Sequence, residues 1–184
     1  DRRDDRGIRR RQFSWRGPFG LDQSTLIGHA CNMESPVHRF NMPLYTPPSG
    51  PPQGPGPSPH ILETMGRDNL FALCAAFYRE LEKTEIRKWF PADMAAASTK
   101  LAKFLSGVLG GPPLFAQEFG PPRMRQRHVP FPIDERAKNV WFHTFRDVLE
   151  ARAEEFKVPR EHLPGFLRWL EDFADWMINV KPGP

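Results

Sequence analysis

The run Pro122-Arg123-Met124-Arg125-Gln126-Arg127-His128-Val129-Pro130-Phe131-Pro132-Ile133 sets one histidine at the end of a basic segment, just before a proline-broken apolar turn. A neutral imidazole offers a lone pair near physiological pH, which makes histidine the commonest side-chain metal ligand. A histidine with no second ligand nearby cannot build a zinc site, which takes a tetrahedral set. It does suffice for a porphyrin iron, because the macrocycle supplies the in-plane ligands. Thirteen residues later comes Trp141, in a long amphipathic stretch. The first chemical expectation is therefore a haem iron tethered by His128. It requires helices that can enclose a flat apolar group.

The chain that must do this has 184 residues and a formal net charge of +4, which suits one domain with an appendage. The charge is mildly basic and is not by itself a nucleic-acid footprint. Cys31 and Cys74 have no metal-type spacing and make no disulfide framework, so a reducing cytoplasm is the plain expectation. Cys74 lies among Leu73, Ala75 and Ala76 and reads as a small buried hydrophobe. No apolar run is long enough to span a bilayer. The arginine-rich start lacks an apolar core segment and does not read as a secretory signal.

Two regions differ in their physics. Residues 1–59 are arginine-rich early and proline- and glycine-rich later, and the segment from Pro47 to Pro57 can form neither helix nor central strand. That segment reads as an extended, solvated linker, and the stretch before it as irregular chain, solvated or draped over the folded part. From residue 60 to 184 helical periodicity takes over. Leu70, Leu73, Cys74, Phe77, Tyr78 and Leu81 share one stripe. A second helix spans Ala95 to Leu109 and is stopped by Gly110-Gly111-Pro112-Pro113. Leu114 to Phe119 is a short helix at most. Asp134 is the expected N-cap of a third long helix running to about Phe156, and a fourth covers Arg160 to Val180. No strand-type alternation appears, so the fold class is all-α.

The folded half resembles the group II truncated haemoglobins. The resemblance rests on Phe77-Tyr78, Phe90-Pro91, the helix through Lys100, Leu101, Phe104 and Leu105, Gly110-Gly111-Pro112, the basic run ending in His128, Pro130-Phe131, Trp141, and the closing helix from Leu163. It covers residues 61–180 and none of 1–59. It implies a two-over-two globin fold, in which two antiparallel helix pairs enclose haem b and a long loop stands before the proximal histidine.

It also implies roles. His128 would be the iron ligand, its other ring nitrogen donating to a backbone carbonyl. Tyr78 and Trp141 would donate hydrogen bonds to a diatomic gas from the opposite side. Phe90 would pack on the haem, where some relatives carry a tyrosine, and its benzyl group removes one donor. Ala97 takes the position where many globins carry a distal histidine, and Leu101 closes the roof one turn later. The spacings from Tyr78 to Phe90 and from Phe90 to Leu101 are each one residue shorter than the family pattern, so Ala96 and Ser98 remain alternatives to Ala97. Lys100 and Arg127 would pair with the haem propionates, with Arg123 and Arg125 as weaker candidates. Phe104 and Phe131 would line the haem wall, as would Phe115, Met124 and Phe145.

The function expected on this footing is reversible binding of dioxygen, carbon monoxide or nitric oxide. Nitric oxide or peroxide detoxification would need an external electron donor. The alternative is a haem-free helical interaction module with a basic proline-rich arm. Nucleic acid is not an expected partner, because the early arginines lack the interleaved aromatics of a stacking surface. Neither a membrane partner nor an oligomeric state is indicated.

Overall fold

The structure, a computed structural model, describes residues 44–181. The expectations for residues 1–43 and for Cys31 fall outside them. Six α-helices follow in order: α1 (His60–Leu81), α2 (Met94–Val108), α3 (Leu114–Phe119), α4 (Met124–His128), α5 (Glu135–Ala151) and α6 (Leu163–Met177). A 3₁₀ turn at Glu85–Trp89 joins α1 to α2, and another at Arg160–His162 leads into α6. No strand occurs among the described residues. α1 packs on α2 and on α5, α5 packs on α6, and the short helices α3 and α4 lie against α2 and α6.

The helix ends follow local chemistry. Asp93 caps α2 by accepting the Ala96 N–H at 2.8 Å, and Asp134 caps α5 by accepting the Ala137 N–H at 2.8 Å, each satisfying a donor that a helix start leaves orphaned. α2 stops where Gly110 turns left-handed at φ 77°. The Gly111 N–H then reaches the Ser106 carbonyl at 2.9 Å and the Gly110 N–H reaches that of Gly107 at 3.3 Å, a Schellman closure. A side chain at Gly111 would press on Leu62 Cδ2. Inside α1, Gly66 leaves helical geometry at φ 74°, ψ 163° and kinks the helix.

Two long helices end earlier than their apolar pattern suggests. α5 was expected to reach Phe156 and stops at Ala151. The next residues form tight turns, with Lys157 left-handed at φ 55° and the Val158 N–H bonded to the Ala153 carbonyl at 2.8 Å. Ala153, Phe156 and Val158 are all buried, so the stretch keeps an inward face without being helical. α6 was expected to reach Val180 and ends at Met177, because Ile178 turns extended at ψ 123°. The Asn179 N–H can then bond the Ile133 carbonyl at 2.9 Å.

The stretch before α1 is mostly exposed and irregular, and it meets the helices at a few points. Tyr45 donates its N–H to the Asn179 carbonyl at 3.1 Å, and Pro47 and Pro57 are buried. The basic segment before His128 contains a turn of helix, α4, where only a loop was anticipated.

The core centres on aromatic residues from three helices. Phe77 of α1 meets Phe145 of α5 at 4.8 Å between ring centroids, and Phe145 meets Phe166 of α6 edge-on at 6.3 Å. All three are fully buried, together with Leu70, Leu73, Leu81, Leu105, Leu149 and Leu170. Lys138 adds a polar tie between α5 and α6, with Nζ 2.8 Å from Asp175 and 3.7 Å from Glu171. Arg136 of α5 holds Glu85 of the first 3₁₀ turn through two bonds of 2.5 and 2.6 Å. Replacing Phe145 by alanine removes the ring shared by α1, α5 and α6. It is expected to lower unfolding free energy by about 3–5 kcal/mol, measured by urea denaturation against wild type.

Candidate functional site

His128 closes α4, and its ring folds back on that helix. Nδ1 lies 2.7 Å from the Met124 carbonyl. A carbonyl only accepts, so Nδ1 carries the proton and the lone pair falls on Nε2. Burial pushes the imidazole pKa below its ordinary value, and the bond to Met124 opposes that only in part. The side chain is thus held neutral, in the tautomer whose free nitrogen is a metal donor.

Tyr78 and Trp141 sit in a second cluster, on α1 and α5. The Phe77 ring is edge-on to both, at 5.3 Å from Tyr78 and 5.4 Å from Trp141, and Phe90 meets Tyr78 edge-on at 5.8 Å. Trp141 also lies 5.7 Å from Phe145. These contacts fix both rings from the protein side. Among the described residues neither the Tyr78 hydroxyl nor the Trp141 indole N–H has a hydrogen-bond partner, and no fully enclosed side-chain nitrogen or oxygen lacks one. Both polar atoms are therefore available to a third group. Burial, and next to it Cys74, raises the Tyr78 pKa, so the phenol stays protonated and remains a donor.

The other anticipated residues are distributed as follows. Ala97 and Leu101 are half-buried against the core, Ala96 is exposed, and Ser98 is buried with its hydroxyl donating to the Ala95 carbonyl at 2.9 Å. Phe104 is half-buried between Phe115, at 6.2 Å, and Phe173, at 5.4 Å. Phe131 is one of the few exposed large apolar side chains, at 39%. Lys100 is exposed, with Nζ 5.3 Å above the Phe119 ring.

The basic run divides its work. Arg127 donates Nε to the Pro122 carbonyl at 2.8 Å and Nη2 to that of Phe119 at 2.7 Å, so the loop before α4 claims most of its donors. Its Nη1 has no partner among the described residues. Arg125, anticipated as a weaker propionate candidate, is committed elsewhere. It donates to the carbonyls of Trp176, of Ile178 at 3.0 Å and of Tyr45 at 2.6 Å, and stacks over the Trp176 ring at 4.5 Å. It fastens α4 to the end of α6. Arg123 takes a left-handed backbone at φ 38° and precedes α4.

Asn179 has no counterpart among the anticipated residues. Its buried carboxamide donates to the carbonyls of His128 at 3.0 Å and Phe131 at 2.8 Å, and accepts the Ile133 N–H at 2.9 Å. Nothing in the local sequence marks an asparagine near the end of a chain as a partner for a histidine 51 residues away. Among the described residues no cluster of three or more histidine, cysteine or acidic side chains could hold a bare metal ion. No helix there is long and apolar enough to cross a membrane.

The model of the bacterial-like globin family matches residues 61–179. The chain belongs to the group II truncated haemoglobins. It is 35% identical over 118 residues to a group 2 truncated haemoglobin of Bacillus subtilis, covering 64% of this chain and 86% of that protein. In structure it is similar to the truncated oxygen-avid haemoglobin from Bacillus subtilis, with a TM-score of 0.59 and 30% identity over 66% of this chain and 99% of that one. The phosphate-bound Hell's gate globin IV is similar at a TM-score of 0.65 and 28% identity, over 72% of this chain and 82% of its own. This truncated haemoglobin is a haem-based gas-binding protein by family, and its all-α architecture is the two-over-two globin fold.

The chemistry of this donor set, one imidazole with a free Nε2 and two donors without a protein partner among the described residues, is compatible with a porphyrin iron and a small polar ligand. The half-buried imidazole also ties stability to pH. Its folded pKa lies below the ordinary 6.5, so on acidification the unfolded chain binds this proton first and the folded state loses stability. The His128 contribution is complete above the ordinary histidine range and declines as pH falls through it. His128→Gln in the haem-free protein is expected to flatten the pH dependence of unfolding free energy between about pH 7 and 5. Parallel urea titrations of variant and wild type check it, and identical slopes would remove the claim.

Proposed function

We propose that this chain binds dioxygen reversibly at the iron of haem b, with His128 as the proximal ligand. The observation that carries the reading is the hydrogen bond from His128 Nδ1 to the Met124 carbonyl, which fixes a neutral imidazole with Nε2 free. His128 would hold the haem, which would supply an iron able to take up a diatomic gas.

The chain's own residues do the rest. Met124 holds the tautomer and strengthens His128 as a donor. Tyr78 and Trp141 would offer O–H and N–H as donors to a gas ligand carrying partial negative charge. A hydrogen bond to a charged acceptor is worth about 1.5–3 kcal/mol, or about one to two decades in dissociation rate. Ala97 offers no donor and leaves room at the distal side, so discrimination falls to those two residues. Phe90, Leu101, Phe104 and Phe131 supply apolar wall that excludes water. Lys100 and the Nη1 of Arg127 are the groups for the propionates.

Carbon monoxide and nitric oxide have the same access. Detoxification of nitric oxide or peroxide is a second use of this pocket. Sustained turnover of that kind would draw on an electron donor. The name of the Bacillus subtilis relative, oxygen-avid, supports the dioxygen reading. The unpaired buried Cys74 suits a reducing cytoplasm.

Two measurements test this. Wild type expressed with haem is expected to show a Soret band that responds to carbon monoxide, and His128→Ala to lose it or bind haem far more weakly. Tyr78→Phe and Trp141→Phe are each expected to raise the dioxygen dissociation rate by about tenfold to a hundredfold, read by stopped-flow displacement. Rates unchanged in both variants would remove the distal assignment and leave the proximal one intact.

A further inference from the structure

α4 carries His128 but has little with which to hold itself. It has five residues, and a helix of that length is unstable alone in water. Its N-cap residue, Arg123, is left-handed at φ 38° and provides no side-chain cap, a conformation that is costly for a residue with a Cβ. No α4 side chain is fully buried, so packing alone does not anchor it. Bonds from outside must hold the ligand in place.

The buried carboxamide of Asn179 supplies those bonds at the point that matters. One amide nitrogen spans the carbonyls of His128, at 3.0 Å, and Phe131, at 2.8 Å. The carboxamide oxygen takes the Ile133 N–H at 2.9 Å, and the Asn179 backbone N–H returns to the Ile133 carbonyl at 2.9 Å. The Phe131 N–H closes the turn onto the His128 carbonyl at 3.0 Å. The carbonyl leaving His128 thus accepts from two donors at once, the Asn179 carboxamide and the Phe131 N–H. A pinned peptide plane fixes the Cα–Cβ direction, and with it the reach of Nδ1 back to Met124.

We infer that Asn179 is a positioning residue for the proximal histidine, setting the orientation of its ring from the far end of α6. This rests on the assignment of His128 as the haem ligand. Asn179 touches neither iron nor gas and acts only through the turn after α4.

Asn179→Asp in the full chain tests it. The variant keeps the shape and the acceptor for Ile133, removes both N–H donors, and sets a carboxylate oxygen against two carbonyls. In the haem-free protein, amide exchange across residues 124–133 is expected to quicken by about tenfold, with α1 and α5 amides unchanged. In the ferrous haem protein, the iron–histidine stretching band in resonance Raman is expected to shift or broaden. Asn179→Ser, which adds no charge, gives the same change in smaller degree and covers the case in which the aspartate variant does not fold. Lys138→Ala, which removes the α5–α6 ion pair, serves as the control for plain destabilisation and leaves the band where it was. A band unchanged in position and width in both Asn179 variants overturns the inference, even if their melting temperatures fall. A wild type with no iron–histidine band overturns the ligand assignment itself, and is recognised by that absence before any variant is compared.

Discussion

A single turn of helix has to present one imidazole, and a single turn of helix does not persist unaided. Much of the proximal half of this protein can be understood from that constraint. The Met124 carbonyl orients the His128 ring only while residues 124–128 stay helical. They stay helical because Arg125 and Asn179 tie the segment to the end of α6, the first through the carbonyls of Trp176, Ile178 and Tyr45, the second through those of His128 and Phe131. α6 is itself packed on α5 by Phe166 against Phe145. Burial of the Arg125 guanidinium depresses its pKa, but only from a value so high that it stays charged, and charge-assisted bonds to carbonyls are the stronger kind.

The distal half solves the opposite problem. There the polar atoms must be held still but left unpaired by protein. Phe77 does this for two residues at once, edge-on to Tyr78 and to Trp141. Phe90 and Phe145 then brace the outer sides of the pair. Aromatic contacts fix a ring without engaging its O–H or N–H, which is why a hydrocarbon cluster suits a pair of donors kept for a ligand. The same Phe77 and Phe145 are core residues with no exposure. On the proposed reading, stability and ligand control would share side chains on this side, whereas on the proximal side they would be divided between core and clamp.

What could be read from sequence was what local chemistry decides. Asp134 before an amphipathic run announces its cap, and Gly110-Gly111 announces the stop of α2, because both devices act within a few residues. The motif spacing singled out Tyr78, Trp141 and His128 as candidates for the site. The ends of α5 and α6 were not legible, because Ala153, Phe156 and Val158 continue an inward-facing pattern in tight turns, and periodicity sees facing rather than backbone. The backbone partners of the basic-run arginines were not legible for a related reason. A guanidinium bonds a backbone carbonyl as readily as a carboxylate, and carbonyls leave no trace in a sequence. Arg125 went to the α6 terminus and most of Arg127 to its own preceding loop. Asn179 was invisible because its partners are backbone atoms distant in sequence.

The proline-rich stretch before α1 belongs to the same account. It is anchored at both ends. Tyr45 bonds Asn179 and receives Arg125, while buried Pro57 stands just before Pro59, whose Cβ would lie 2.9 Å from a side chain at Gly110. A flexible segment between such anchors would lose backbone entropy of about 1–2 kcal/mol per residue on ordering. Proline has already surrendered much of that freedom in the unfolded chain, so prolines between residues 47 and 57 make the span inexpensive to fix. Compositional bias that suggests a loose linker is here also what lets a strap close cheaply. Because Arg125 bonds to Tyr45 on that strap and to the α6 terminus at once, the segment ahead of α1 is mechanically part of the support under His128.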